Sequence, residues 1–236
     1  MANVLPPYTK IKRAALDLLF PQWCIGCGSE GEYLCIDCRE SLPIIIPPVC
    51  SRCGRPLSPE LKCYGCTEWS GDIDGIRSPF LFTGLIREAV HQFKYNNLRA
   101  ITTSLAGMLY DYLVENPLPG DVLVPVPLHR KRWHERGYNQ SALLAKELGR
   151  LSGLPVLDNS LKRRSLVITQ AKSQNVTERR ENVEGAFYCI DKNVVGKQII
   201  LIDDVSTSGA TANSCAAALK TAGAAKVWGL VVALEL

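Results

Sequence analysis

No run of about 18 apolar residues occurs anywhere in this 236-residue chain, so no transmembrane helix is expected. A convincing export signal is missing as well. The first apolar stretch is broken by Lys10, Lys12, Arg13 and Asp17, and no small-residue cleavage site follows it. Residues 9–20 read instead as a short amphipathic helix, with Ile11, Ala14, Ala15, Leu18 and Leu19 on its apolar side. Packing against the rest of the protein is its expected use, contact with a membrane surface the lesser one. Strong net charge is absent too. The formal value is +4, too small to point to nucleic acid by itself. Its distribution says more. Residues 130–136 hold four Lys/Arg against one Glu, and residues 162–181 hold six against two Glu, which leaves the remainder of the chain net negative. Locally basic surfaces suit polyphosphates or nucleic acid, although either segment alone reads equally well as a solvated loop. With 47% hydrophobic and 21% charged residues the composition is that of an ordinary globular protein, long enough for one or two domains.

What the chain has in excess is paired cysteine. Eight of its ten cysteines form four C-x-x-C pairs: Cys24/Cys27, Cys35/Cys38, Cys50/Cys53 and Cys63/Cys66. Two thiolates grip half of a tetrahedral metal, and two pairs complete a four-cysteine site, so two zinc ions are the expected content. The short separations favour sequential sites: Cys24, Cys27, Cys35 and Cys38 for one, Cys50, Cys53, Cys63 and Cys66 for the other. A cross-braced arrangement, first pair with third, stays open. Gly26, Gly28, Gly54 and Gly65 suit the tight turns of such knuckles. The competing reading is a disulfide-rich secreted module, against which stands the missing export signal. An iron–sulfur cluster is the weaker alternative. The metal is expected to be structural, because so short and proline-interrupted a segment buries too little core to fold without it. With Arg39, Arg52, Arg55 and Lys62 as its few cations, the segment is no obvious DNA clamp. Cys189 and Cys215 stand alone, and Cys215 reads as a small buried residue.

The composition changes near residue 71, the expected boundary between a metal-binding module (1–70) and a second domain (71–236). Strands are expected at 74–82 (with a proline inside), 122–126, 154–157, 186–190, 199–202 and 227–234. Helices are expected at 85–95, 100–113, 139–151 and 210–222. The second of these carries a core stripe of Ile101, Leu105, Met108, Leu109, Tyr112 and Leu113. A basic loop, PLHRKRWHERGYNQ, comes after the strand at 122–126, and residues 162–183 lack periodicity and read as a mobile loop. Alternating strands and helices argue for an α/β fold with a mostly parallel sheet covered on both faces. Ligands bind such sheets at the carboxyl ends of the strands.

One such end is distinctive. The apolar run 199–202 ends in Asp203 and Asp204, succeeded by the small and hydroxyl residues Ser206, Thr207, Ser208, Gly209 and Thr211, and then an alanine-rich helix. Free N–H groups at a helix start, together with the helix dipole, favour phosphate, and hydroxyls add donors. The two carboxylates would repel phosphate but can accept hydrogen bonds from a diol. The spacing suggests a ligand with a phosphate at one end and a ribose beside it.

The stretch 199–211 resembles the phosphoribosyl-pyrophosphate (PRPP) loop of type I phosphoribosyltransferases: four apolar residues, D-D, then T-[ST]-G-x-T. An ordinary βα turn is the plain alternative. The resemblance widens over the whole chain. Paired cysteines are succeeded by Phe93-Lys94-Tyr95, by VPVPLHRKRWHERGYNQ with Arg132 ahead of Arg136 to Gln140, by a loop with Arg164, Gln170, Arg179 and Asn182, and by the PRPP loop. That order is similar to the ComF family, which includes ComFC-type competence proteins and GntX-like proteins. The resemblance implies an α/β fold with a mostly parallel sheet of the type I phosphoribosyltransferase kind, preceded by a small N-terminal double zinc-ribbon module. It implies a cytoplasmic protein that handles incoming single-stranded DNA during transformation, with proteins of the DNA-uptake machinery as partners.

On that resemblance, residues 206–211 hold the 5′-phosphate of PRPP. Asp203 and Asp204 hold the ribose hydroxyls and are the catalytic candidates. Arg130, Lys131, Arg132 and Arg136 face the pyrophosphate with its magnesium, and Arg164, Lys172 and Arg179 belong to a loop over the site. Asn139 and Gln140 read equally as helix caps, and His129 and His134 as surface groups. Trp133 and Tyr138 are available for base stacking or for packing beneath the loop. No C-terminal hood for an acceptor base is expected, which leaves the metal module as the piece large enough to cover the site. Two functional classes remain. One is a PRPP-binding factor that handles single-stranded DNA, and the other is an active phosphoribosyltransferase with an unidentified base or nucleotide acceptor and no role in DNA uptake.

Overall fold

The computed structural model describes residues 21–63, 66, 71–96, 98–164 and 185–236. The helix expected at 9–20, and Gly65, Gln170, Lys172, Arg179 and Asn182, lie outside the described residues. The chain divides into two compact units, Met1–Leu42 and Pro43–Leu236. The second cysteine group therefore shares a unit with the sheet, whereas a boundary near residue 70 would keep both groups in one module.

In the smaller unit Trp23 and Glu30 form an antiparallel bridge, and Ile25 N–H donates to Tyr33 O at 3.0 Å. A one-turn helix, α1 (Ile36–Glu40), starts after Cys35, and Leu34 just before it is fully buried.

The larger unit contains β1 (Gly75–Arg77) and β2 (Phe80–Leu81), then α2 (Gly84–Tyr95) and, after a 3-10 turn, α3 (Thr102–Glu115). The single strand expected at 74–82 is thus two short ones. Pro79 has no N–H for a ladder, and the break falls there. Next come β3 (Val122–Pro125), α4 (Arg130–Arg136) and α5 (Gln140–Ser152). β4 (Leu161–Arg163) and β5 (Phe187–Cys189) pair antiparallel as a small separate ribbon. The chain closes with β6 (Gln198–Ser206), α6 (Ala210–Thr221) and β7 (Lys226–Leu234). The strand expected at 154–157 reduces to one bridge between Val156 and Leu123.

The main sheet runs β1-β7-β6-β3, with β2 also beside β7, and every one of these pairs is parallel. Side chains alternate across it. Ile199 and Leu201 of β6 pack with Val122, Val124, Val227 and Val231 against Cys215 and Leu219 of α6. Leu123 and Ile200 point the other way, and Leu123 meets α5 near Gly149. A sheet covered on both faces explains why β6 is apolar without interruption from Ile199 until it reaches Asp203. The segment leading into the second cysteine group lies along β1 and β2. Leu81 N–H donates to Pro43 O at 2.9 Å, Ile45 N–H to Pro79 O at 2.8 Å, and Ile76 N–H to Arg52 O at 2.6 Å. Among the described residues, no helix is long and apolar enough to cross a membrane.

Candidate functional site

The Sγ atoms of Cys24, Cys27, Cys35 and Cys38 all lie within 4.8 Å of one another, and so do those of Cys50, Cys53, Cys63 and Cys66. The pairing is sequential, not cross-braced. Close S···S separations run from 3.4 to 3.6 Å, well beyond a disulfide's, and none of the ten cysteines is joined to another, so the disulfide reading fails. Four sulfurs about 2.3 Å from a tetrahedral zinc would stand roughly 3.8 Å apart, so both groups fit that ion. The turns match as well: Gly28 N–H donates to Cys24 O at 2.8 Å, and Gly54 N–H to Cys50 O at 3.0 Å.

β6 brings Asp203 and Asp204 to the carboxyl end of the sheet. The strand continues through Ser206, whose carbonyl accepts from Glu235 N–H at 2.9 Å. Thr207, Ser208 and Gly209 alone make the turn before α6 begins. Asp203 accepts from Ser141 Oγ at 2.8 Å and from the Asp204 N–H at 2.9 Å. Asp204 pairs with Lys94 Nζ of α2 at 2.7 Å, both side chains being largely buried. Burial, and then the neighbouring Asp204 charge, push the Asp203 carboxyl up to about 7, with Ser141 and Lys94 opposing the rise. The site therefore carries less negative charge than two free carboxylates would give it.

A cleft of about 440 Å³ opens at this strand end, and Asp203, Asp204, Thr207, Thr211, Arg132 and Arg136 all line it. Ser206, Ser208 and Gly209 belong to the same strand end and turn without lining the cleft. Arg130 and Arg164 line a neighbouring cavity of about 540 Å³, and Lys131 lines neither. The cleft also gathers groups to which sequence reasoning gave no role: Lys94, Ser141, Arg163 and His91. Lys94 lies in the Phe-Lys-Tyr triplet that helped mark the family, and that was its one signal. Lost hydration, and then the nearby Arg132 charge, lower the Arg163 pKa from its ordinary value.

The expected basic loop holds a helix. His129 Nδ1 accepts from Lys131 N–H at 3.2 Å to start α4, and the Gly137 N–H closes it on Trp133 O at 2.8 Å. Asn139 acts as a cap: its Oδ1 accepts from Ser141 N–H at 3.2 Å, while Nδ2 donates to Val126 O at 2.9 Å. Tyr138 packs. It is 5% exposed, its hydroxyl donates to Phe93 O, and the Arg99 guanidinium lies 4.5 Å from its ring centre. Gln140 is buried beside that hydroxyl. Trp133, half exposed, lines the neighbouring cavity.

Residues 15–67 match the family model of the Double zinc ribbon domain. The chain is 30% identical over 222 residues to Competence protein F of Haemophilus influenzae, across 88% of this chain and 95% of that one. It is 32% identical over 201 residues to Competence protein ComFC of Bacillus subtilis, across 82% and 80%. The chain belongs to the ComF family. This ComF-family chain is also 28% identical over 190 residues to DNA utilization protein YhgH of Escherichia coli (strain K12), across 77% and 83%. Among solved structures, the glutamine PRPP amidotransferase from B. subtilis complexed with ADP and GMP aligns with a TM-score of 0.40 and 21% identity, over 56% of this chain and 26% of its own. That likeness says nothing of ligand or activity. The sheet of this ComF-family chain is mostly parallel, as expected, with a double zinc ribbon ahead of it in the sequence.

Proposed function

We propose that this chain binds PRPP at the carboxyl end of β6 and handles single-stranded DNA in a competence-related role. The observation that carries the first half is convergence: Asp203, Asp204, Thr207, Thr211, Arg132 and Arg136, drawn from three elements, line one cleft. The turn before α6 and the free N–H groups of that helix hold the 5′-phosphate. Asp203 and Asp204 accept hydrogen bonds from the ribose hydroxyls. Lys94 offsets the charge of Asp204, and the raised pKa of Asp203 lowers its own, so a phosphate is tolerated beside them. Arg132 and Arg136 meet the pyrophosphate. Magnesium accompanies it, since a hard cation suits the oxygens of pyrophosphate and of these carboxylates. The DNA role rests on the names of the relatives and on the basic surface that Arg130, Lys131 and Arg164 extend, with Trp133 exposed beside Arg130.

A second reading is favoured by the neighbouring cavity, which shares His129 and Arg163 with the cleft and leaves room for an acceptor base. In that reading the C1–oxygen bond to pyrophosphate breaks and its electron pair leaves with pyrophosphate. An acceptor lone pair then forms the new bond, and the protein contributes positioning and charge.

Calorimetric titration of the zinc-loaded protein with PRPP and magnesium tests the site. Saturable binding is expected, weakened by at least about tenfold in Asp203→Asn/Asp204→Asn. A well-folded wild type that binds no PRPP overturns the proposal. Salt-dependent affinity for single strands that drops in Arg130→Ala/Lys131→Ala supports the DNA role. Pyrophosphate release on adding a base supports the second reading.

A further inference from the structure

The second cysteine knuckle reaches the phosphate turn directly. After Cys53 the chain passes Gly54 to Arg55, whose carbonyl accepts from Cys50 N–H at 2.8 Å. The knuckle's own turn thus fixes the Arg55 backbone, and a bridge between Val49 and Pro56 closes the same loop. The Arg55 guanidinium donates to Thr207 O at 2.5 Å and to Glu235 O at 3.1 Å. Thr207 comes directly after β6, Glu235 directly after β7, and the Glu235 N–H returns to Ser206 O. One side chain ties together the carboxyl ends of two central strands.

The Thr207–Ser208 peptide is the part that matters. In a planar trans peptide the C=O of one residue and the N–H of the next point to opposite sides. Holding the Thr207 carbonyl on Arg55 turns the Ser208 N–H away from the knuckle. A flipped peptide would present a carbonyl lone pair where a phosphate needs a donor. A guanidinium on the carbonyl makes that flip costly, because it would break a charge-assisted hydrogen bond.

We propose that Arg55 is a positioning residue that transmits the geometry of the Cys50–Cys53–Cys63–Cys66 centre to the phosphate turn, and so sets affinity for the 5′-phosphate end of the ligand. This rests on the reading of the turn as a phosphate cradle. It separates the two ends of PRPP. Ribose 5-phosphate depends on the turn, whereas pyrophosphate depends on Arg132 and Arg136.

The test uses the full zinc-loaded chain as wild type, Arg55→Ala and Arg55→Lys. Affinities for ribose 5-phosphate and for magnesium pyrophosphate are measured separately by calorimetry, together with zinc content and amide exchange of residues 206–211 in the free proteins. Arg55→Ala is expected to weaken ribose 5-phosphate about tenfold, to leave pyrophosphate within about twofold, and to keep both zinc ions. Exchange in the turn should rise, and Arg55→Lys, a cation able to reach one carbonyl, should fall between. Equal losses for the two ligands, or unchanged affinity with unchanged exchange, overturn the proposal. If the wild type binds neither ligand, the PRPP reading falls and exchange alone judges the clamp: faster exchange in Arg55→Ala upholds it, unchanged exchange overturns it.

Discussion

The two cysteine centres are built alike, each from two C-x-x-C pairs, yet the residues just beyond each knuckle are put to different work. In the smaller unit Arg39 turns back on its own surroundings, with Nε donating to Leu34 O at 2.8 Å and Nη2 pairing with Glu32 at 2.7 Å. Cys27 is exposed there. In the larger unit Cys50, Cys53 and Cys66 are buried, and Arg55 reaches carbonyls 152 and 180 residues further along the chain. Spacing fixes what a knuckle can bind, and the residues beside it fix what it holds in place.

The largest test of that contrast is removal of one metal at a time. Cys27→Ser and Cys53→Ser should each lose one zinc ion per chain. Structural zinc contributes on the order of 10 kcal/mol of binding free energy to small domains. Its loss from the second site should therefore lower the unfolding temperature of the sheet and weaken PRPP, while Cys27→Ser leaves both nearly unchanged. Scanning calorimetry with zinc analysis decides it, and equal effects on the sheet transition would break the comparison.

A smaller test uses the glycine that closes each turn. Gly28 and Gly54 both have left-handed backbones, at φ +75° and +72°. A Cβ at Gly28 meets nothing within 4 Å, but at Gly54 it would sit 2.5 Å from the Ile76 carbonyl oxygen. Gly28→Ala should cost about 1 kcal/mol of backbone strain, and Gly54→Ala roughly 3–4 kcal/mol in denaturant unfolding, since the clash adds to the strain. Similar costs at the two positions would remove the distinction.

The smallest effect is one of pH, confined to the strand end that Arg55 ties down. The folded pKa of Asp203, about 7, lies above the ordinary carboxylate value. The folded state therefore holds this proton more tightly than the unfolded chain does. The resulting stability is fully present below about pH 4 and is lost as pH rises through about 7. Comparing Asp203→Asn with wild type at each pH cancels thiol protonation. The gap between the two should change from about pH 4 to about pH 8 and stay flat above that.

Much of this arrangement was readable from the sequence, and the reasons differ by residue. β6 and its two aspartates were visible because a strand buried on both faces leaves an unbroken apolar run that ends abruptly. Sequential metal sites were visible because the four thiols of each lie close along the chain. α4 was hidden: seven mostly charged residues show no apolar stripe, and its ends come from His129 and Gly137. The pairing of Lys94 with Asp204 joins distant elements, and no local pattern announces it. Arg55 looked like one of a few scattered cations, because its partners are backbone carbonyls, which carry no side-chain signature.

The order of strands has a consequence for how the protein is made. β1 has β7 as its neighbour, so Gly75 waits about 150 residues of synthesis for Trp228. The Arg55 clamp waits as long. The second knuckle, by contrast, has Cys50 and Cys66 only 16 residues apart, close enough to take up its metal while the sheet is still unborn. On the ribosome, metal capture comes early and assembly of the ligand cleft late. Through that interval β1 stands with its backbone unpaired and Ile76 uncovered beside a finished zinc knuckle, and zinc starvation or a translational pause there should send the nascent chain towards aggregation.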